Sequence, residues 1–271
     1  MAEAATVPET HVRRVHCVTD GAIGWLRLDN QPRLNAVSLS MWKDLDAGVT
    51  RLAEDPAIRV IIVAGAGGKA FCAGGDISEF SAMDSDQNSF ENYARAGHSA
   101  NTNLLQVQKP TIAMIEGFCL GGGVAIALRC DLRIAAENAR LGIPAAKRGL
   151  SYDYSSIKIL TDLMGPAATK HILYTGRQYS AAESLRMGLV NEIHAPDKLE
   201  QHVRELALSI AANAPLSIKA TKLVVDTAVA DPYKRNMDAC KAAQDACLAS
   251  EDYAEATKSF MEKRPPVFKG R

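Results

Sequence analysis

Three consecutive glycines, Gly121-Gly122-Gly123, stand between a strand-like run, Pro110 to Ile115, and an apolar segment, Val124-Ala125-Ile126-Ala127-Leu128. Glycine gives up more backbone entropy on folding than any other residue. Three in a row at a strand-to-helix junction imply a close approach to the main chain, or backbone angles that side chains forbid. The helix that follows presents free N–H groups and the positive end of its dipole. The simplest reading is a main-chain site for an oxygen carrying full or developing negative charge.

The 271 residues are ample for a sizeable core. The formal net charge is zero and no basic stripe occurs, which argues against nucleic acid as a partner. Six cysteines show no CxxC pair or finger-like spacing and read as reduced core residues. No apolar run reaches the length of about 18 residues that a membrane span needs. Residues 1–11 lack the regions of a signal peptide. A cytoplasmic protein that does not enter the membrane is the expectation.

Val12 to Leu28 reads as a hairpin around Asp20-Gly21. Ser38 or Ser40 caps a helix carrying Met41, Leu45, Val49 and Leu52. A buried-type strand follows at 59–64, and a helical segment runs from Ile77 to Met83. Residues 84–90 read as mobile, and a helix spans about 90–108. Further strands are expected at 131–135, 140–144 and 189–193, and helices at 154–164, 166–174 and 180–187. The last stretch is helical at 199–213, 215–228, 232–249 and 252–263. The chain thus divides into an α/β core, residues 1–200, and a helical region, residues 201–271.

Gly65-Ala66-Gly67-Gly68 superficially matches a dinucleotide fingerprint. Lys69 to Asp76 does not begin a helix, however, and this is not the first βα unit, so that reading fails. Two other glycine sites remain, Ala73-Gly74-Gly75-Asp76 and Gly121-Gly122-Gly123. Each follows a strand and enters a helix. One N–H from each could converge on a thioester carbonyl as it turns into an enolate, where losing one donor typically costs about 2.7–4 kcal/mol. Taken singly, either loop is also explained as a tight packing turn.

The order of motifs resembles the enoyl-CoA hydratase/isomerase, or crotonase, superfamily over nearly the whole chain. The resemblance rests on Asn35-Ala36, Ala70-Phe71-Cys72-Ala73-Gly74-Gly75-Asp76, Glu116 to Gly123 and Cys130-Asp131. It continues through Ala181 to Leu185, Met187 to Asn191 and Phe260 to Arg264. It implies a spiral of ββα turns with a helical trimerisation region, assembled as a homotrimer or a hexamer. It implies the backbone N–H groups of Gly75 and Gly122 as oxyanion donors. The same resemblance sets the CoA adenine against the backbone of Ala73, Gly74, Asp76 and Ile77, and Phe260 and Lys263 of a neighbouring subunit against the CoA. Coenzyme A enters as part of an acyl-CoA substrate, and no separate cofactor is implied.

Hydratases of this kind carry two glutamates that hold and activate water. The corresponding positions here are Ala125 and Ala145. Alanine neither accepts nor donates a proton, so two-glutamate hydration cannot run. Asp153 falls where resembling dienoyl-CoA isomerases have a catalytic aspartate, which makes it a candidate general base. It also directly precedes a helical run, where aspartate serves as an N-cap. Tyr152 and Tyr154 offer phenols but read as core or rim packing. Isomerase-type enolate chemistry is therefore expected. The alternatives are a hydratase with relocated acid and base, or a binding protein that has lost its chemistry.

Overall fold

A computed structural model describes residues 13–76, 78–79 and 87–271. Strands β1 (Arg14–Asp20) and β2 (Ile23–Asp29) form the expected antiparallel hairpin. Helix α1 (Leu39–Glu54) starts at Ser38, whose hydroxyl accepts from the Met41 amide, so Ser38 rather than Ser40 is its cap. Three pairs then repeat one pattern. Strands β3 (Val60–Gly65), β5 (Thr111–Ile115) and β7 (Leu132–Ala136) enter a six-stranded sheet ordered β1-β2-β3-β5-β7-β10. Their successors β4 (Ala70–Cys72), β6 (Phe118–Leu120) and β8 (Arg140–Gly142) enter a second sheet ordered β4-β6-β8-β9. Helices α2 (Gln87–Gln106) and α3 (Gly122–Ala127) carry the chain from one pair to the next. This is the spiral of ββα turns that the motifs imply.

The chain turns from one sheet to the other at sharp corners. Gly117 marks one of them, with φ of 63°. A Cβ there would sit 2.0 Å from the Lys69 carbonyl oxygen, so only glycine lets the corner close.

The large sheet is buried on both faces, as parallel sheets are. Ile61, Val63, Ala113 and Ile115 face one core with α1 and Phe71. Val60, Ile62, Ile112 and Met114 face another, covered by Leu199, Val203 and Ala207 of α6 (Pro196–Ala211). Each of these larger aliphatics contributes roughly 1.5–3 kcal/mol relative to exposure.

Helix α4 (Tyr154–Thr175) breaks at Gly165 (φ 76°, ψ 165°), immediately before Pro166, which accounts for the two helices expected there. Strand β9 (Gln178–Ser180) and α5 (Ala181–Arg186), closed by a capping box of Ser180 and Glu183, follow. The strand expected at 189–193 instead lies at Glu192–His194, as β10. The reason is local: the amides of Leu189 and Val190 both reach back to the Ser184 carbonyl and close off α5.

Helix α7 (Pro215–Val229) precedes a second correction. The helix expected at 232–249 splits into a 3-10 turn, Pro232–Lys234, and α8 (Met237–Leu248). Asn236 starts α8 by accepting from the Ala239 amide at 2.9 Å. Helix α9 (Glu251–Met261) ends the helical region. Residues 87–90, read as mobile, belong to the first turn of α2, while Ile77 and residues 80–86 lie outside the described residues. No helix among the described residues is long and apolar enough to cross a membrane.

Candidate active site

The two glycine loops meet. The loop after β4 is laced to residues 34–37 by three main-chain bonds: Ala73 N–H to Leu34 O, Val37 N–H to Gly74 O, and Asp76 N–H to Val37 O. Asn35 braces the same junction from inside. Its Nδ2 donates to the carbonyls of Ala66 and Ala70 at 2.9 and 2.7 Å, and its Oδ1 accepts from the Asn30 amide. The lacing takes up the amides of Ala73 and Asp76. The Gly75 amide has no acceptor among the described residues.

The second loop lies directly beside the first. Gly121 is the N-cap of α3 with φ 52° and ψ −115°, and Gly122 is its first residue. A Cβ built on Gly122 would lie 3.5 Å from the nitrogen of Gly75, and one built on Gly74 would lie 3.5 Å from the nitrogen of Gly122. Gly122 sits in the first helical turn, where amides have no intrahelical partner. Both Gly75 and Gly122 retain partial solvent access. Two unpaired N–H groups therefore sit on abutting turns with no side chain of their own between them. Gly123 explains the closeness, since a Cβ there would fall 2.2 Å from the Cys72 carbonyl oxygen.

Ala125 and Ala145 are both partly buried, and Ala145 packs against the core. Neither brings a carboxylate. Tyr152 does reach the site, its hydroxyl lying 3.9 Å from the Cβ position of Gly121. Burial, ahead of the neighbouring Cys119, Cys72 and Asp153, raises the phenol's pKa, so it stays protonated and is a donor. Tyr152 also packs against the core, the role expected of it.

Asp153 is the N-cap of α4, one of the two roles its position allowed. Oδ1 accepts from the Ser156 amide at 3.0 Å and the Ser155 hydroxyl at 2.6 Å, and Oδ2 from the Ser156 hydroxyl at 2.8 Å. Burial pushes this carboxyl up, but those bonds and the nearby Arg129 charge outweigh it and hold the pKa at about 2. Oδ2 keeps a spare lone pair. Arg129 went unremarked in the sequence. It is buried, and its Nη2 donates to the same two serine hydroxyls at 3.1 and 3.0 Å. Its signal was a guanidinium placed between Leu128 and Cys130, at the end of an apolar helix.

Asp76 is bonded within the chain through its side chain. It is 1% exposed, pairs with Arg13 at 3.1 Å and holds the Ser78 amide and hydroxyl. Ile77 lies outside the described residues. Phe260, 82% exposed, and Lys263 sit at the end of α9. The buried thiols are not nucleophiles, since burial pushes Cys72 and Cys130 up to about 12. A crevice of about 330 Å³ runs along the braced junction, lined by Gln31, Leu34, Asn35, Ala66, Lys69 and Ala70. A larger cavity of about 630 Å³, lined in part by Arg59, Lys109 and Lys219, includes neither glycine loop.

A ββα spiral with two abutting glycine turns defines the protein as an α/β scaffold that offers main-chain donors at a helix entry. The chain matches the enoyl-CoA hydratase/isomerase family over residues 19–271 and belongs to it. It is 33% identical over 264 residues to a carnitinyl-CoA dehydratase of Proteus mirabilis, covering 95% of this chain and 98% of that one. It is also 33% identical to a short-chain-enoyl-CoA hydratase of Clostridium acetobutylicum, over 76% of this chain and 78% of the relative. The crystal structure of an enoyl-CoA hydratase from Bacillus anthracis superposes with a TM-score of 0.89 at 30% identity, covering 95% of this chain and 99% of that one. The protein is thus an enzyme of a family whose members work on acyl-CoA compounds.

Proposed function

We propose that the protein binds an acyl-CoA thioester and holds the enolate oxygen between the amides of Gly75 and Gly122. The observation that carries this reading is the pair of acceptor-free N–H groups on turns in backbone contact. Such preorganised donors act where charge develops, at no reorganisation cost during the reaction. A crevice along Asn35, Ala66 and Ala70, at the start of the strand that leads into the Gly75 loop, offers room for part of the CoA.

The chemistry that follows is proton transfer on the enolate, of isomerase type, rather than addition of water. Ala125 and Ala145 cannot activate a water molecule. Tyr152 donates a proton or hydrogen bond beside the oxyanion site, and Asp153 accepts the proton through the spare lone pair of Oδ2. A carboxyl at about 2 is a weak base in the free enzyme. Covering it with an acyl chain expels water and raises its pKa, which strengthens it.

Asparagine is as good an N-cap as aspartate, so Asp153→Asn keeps the cap and removes the base. The variant is expected to stay folded, with a modestly lower Tm because the stabilised carboxylate is gone, while turnover of enoyl- and dienoyl-CoA esters falls by about 10²–10⁴-fold. Tyr152→Phe is expected to lower turnover as well. Full activity in Asp153→Asn would confine Asp153 to capping. The wild type also carries a pH signature. Because the folded pKa lies below the unfolded value of about 3.9, the cap's contribution to stability is complete above pH 4 and fades as pH falls toward 2. Acid denaturation of Asp153→Asn is expected to lack that component.

The helical region supports a homotrimer or a dimer of trimers. Phe260, Met261, Met237, Leu248 and Tyr233 are all exposed on one chain, and α8 buries only Cys240. Light scattering is expected to give three or six times the 29.1 kDa chain mass. A monomer would leave Phe260 and Lys263 with no neighbouring subunit's CoA to touch.

A further inference from the structure

Three metal-type ligands converge on the far edge of the large sheet. Glu192 and His194 lie two residues apart on β10, so they share one face of the strand. Their register partners on β7 are Ile134 and Ala136, which pack in the core beneath α6. The two side chains are thereby directed toward α6. His202 stands on that helix next to Val203, which faces the same core. The topology thus brings an edge strand and the helix that follows it together around one point.

The donor atoms are close. His194 Nε2 and His202 Nε2 approach the same Glu192 Oε2 at 2.9 and 2.7 Å. The three ligand atoms all lie within 4.8 Å of one another. Each side chain is between about one quarter and one half exposed, so an ion has an entry path and room for water. Two imidazoles and a carboxylate match the ligand set of borderline divalent ions, with distances of about 2.0–2.2 Å and an open fourth position.

We infer that Glu192, His194 and His202 form a surface site for a divalent ion of the zinc class, one that fastens β10 to α6. Without an ion, both rings donate Nε2–H to one carboxylate oxygen and stack at 3.6 Å between centroids with planes 24° apart. To bind, both rings take the tautomer with the proton on Nδ1, and they splay so that the two Nε2 lone pairs converge. The Glu192 carboxylate already presents Oε2 to both rings, at the point where the ion would sit. The site is built from β10 and α6, neither of which contributes a residue to the glycine loops, so it is separate from thioester chemistry.

The test uses the whole chain, freed of any affinity tag and treated with chelator, titrated calorimetrically with zinc chloride. One ion per chain is expected, with an increase in Tm. His194→Ala and His202→Ala are each expected to weaken binding at least about tenfold. Both variants should keep the wild-type circular dichroism and thioester turnover. Cobalt in place of zinc should give the intense visible bands of a four-coordinate site in the wild type and lose them in the double variant. Equal affinity in the wild type and the double variant would overturn the assignment. So would an absence of binding at millimolar zinc.

Discussion

Gly122→Pro is expected to lower kcat by about 10²–10³-fold, equivalent to about 2.7–4 kcal/mol, with little change in Tm. Gly122 is the first residue of α3 and its φ is not positive. Proline is favoured at that position because the missing N–H has no intrahelical partner. The substitution therefore removes a single donor where the fold tolerates its loss. Gly122→Ala is the matched control. It places a Cβ at the same point, in ordinary contact at 3.5 Å with Gly74 and the Gly75 nitrogen, but keeps the amide. Steady-state rates on an enoyl-CoA panel read the difference. Equal losses in the two variants would mean that crowding, not donor loss, is responsible, and the oxyanion reading would fail.

Gly123→Ala, one residue further on, is expected to act on stability instead. Its Cβ would meet the Cys72 carbonyl oxygen at 2.2 Å and the carbonyl carbon at 2.9 Å. Both are backbone atoms of β4, so no flexible side chain can yield. Either α3 or β4 must move, at an expected cost of about 3 kcal/mol or more. Urea denaturation should show a lower midpoint at unchanged m-value. The same movement separates the loops that carry Gly75 and Gly122, so residual folded protein should also be slow. A Gly123→Ala chain with wild-type stability would show that the turns are not held as closely as described.

Much of this was legible from residue order. The ββα spiral follows from short apolar runs punctuated by glycine, and the two amide-bearing turns follow from their place between strand and helix. What escaped had a different physical origin. The start of β10 was misplaced because Leu189 and Val190 are as apolar as strand residues, while their amides serve the end of α5. The 232–249 helix was read through Asn236 because its cap depends on a side-chain bond that hydropathy does not reveal. Asp153 stood at a position compatible with two roles, and the cap shows in its bond from the Ser156 amide. Tyr152 gained its place beside Gly121 from the approach of the residue 145–153 segment, a tertiary relation that no local pattern encodes.

If, as proposed, peptide nitrogens hold the thioester, an alanine scan of this chain would leave both donors in place. Every residue except proline supplies the same N–H. Redesign of the reaction thus has two independent handles. On the proposed reading, side chains at 125, 145, 152 and 153 can be exchanged to change which proton moves, while the two amide-bearing turns keep their places as long as the bonds of Asn35 and the close approach at Gly123 stay intact.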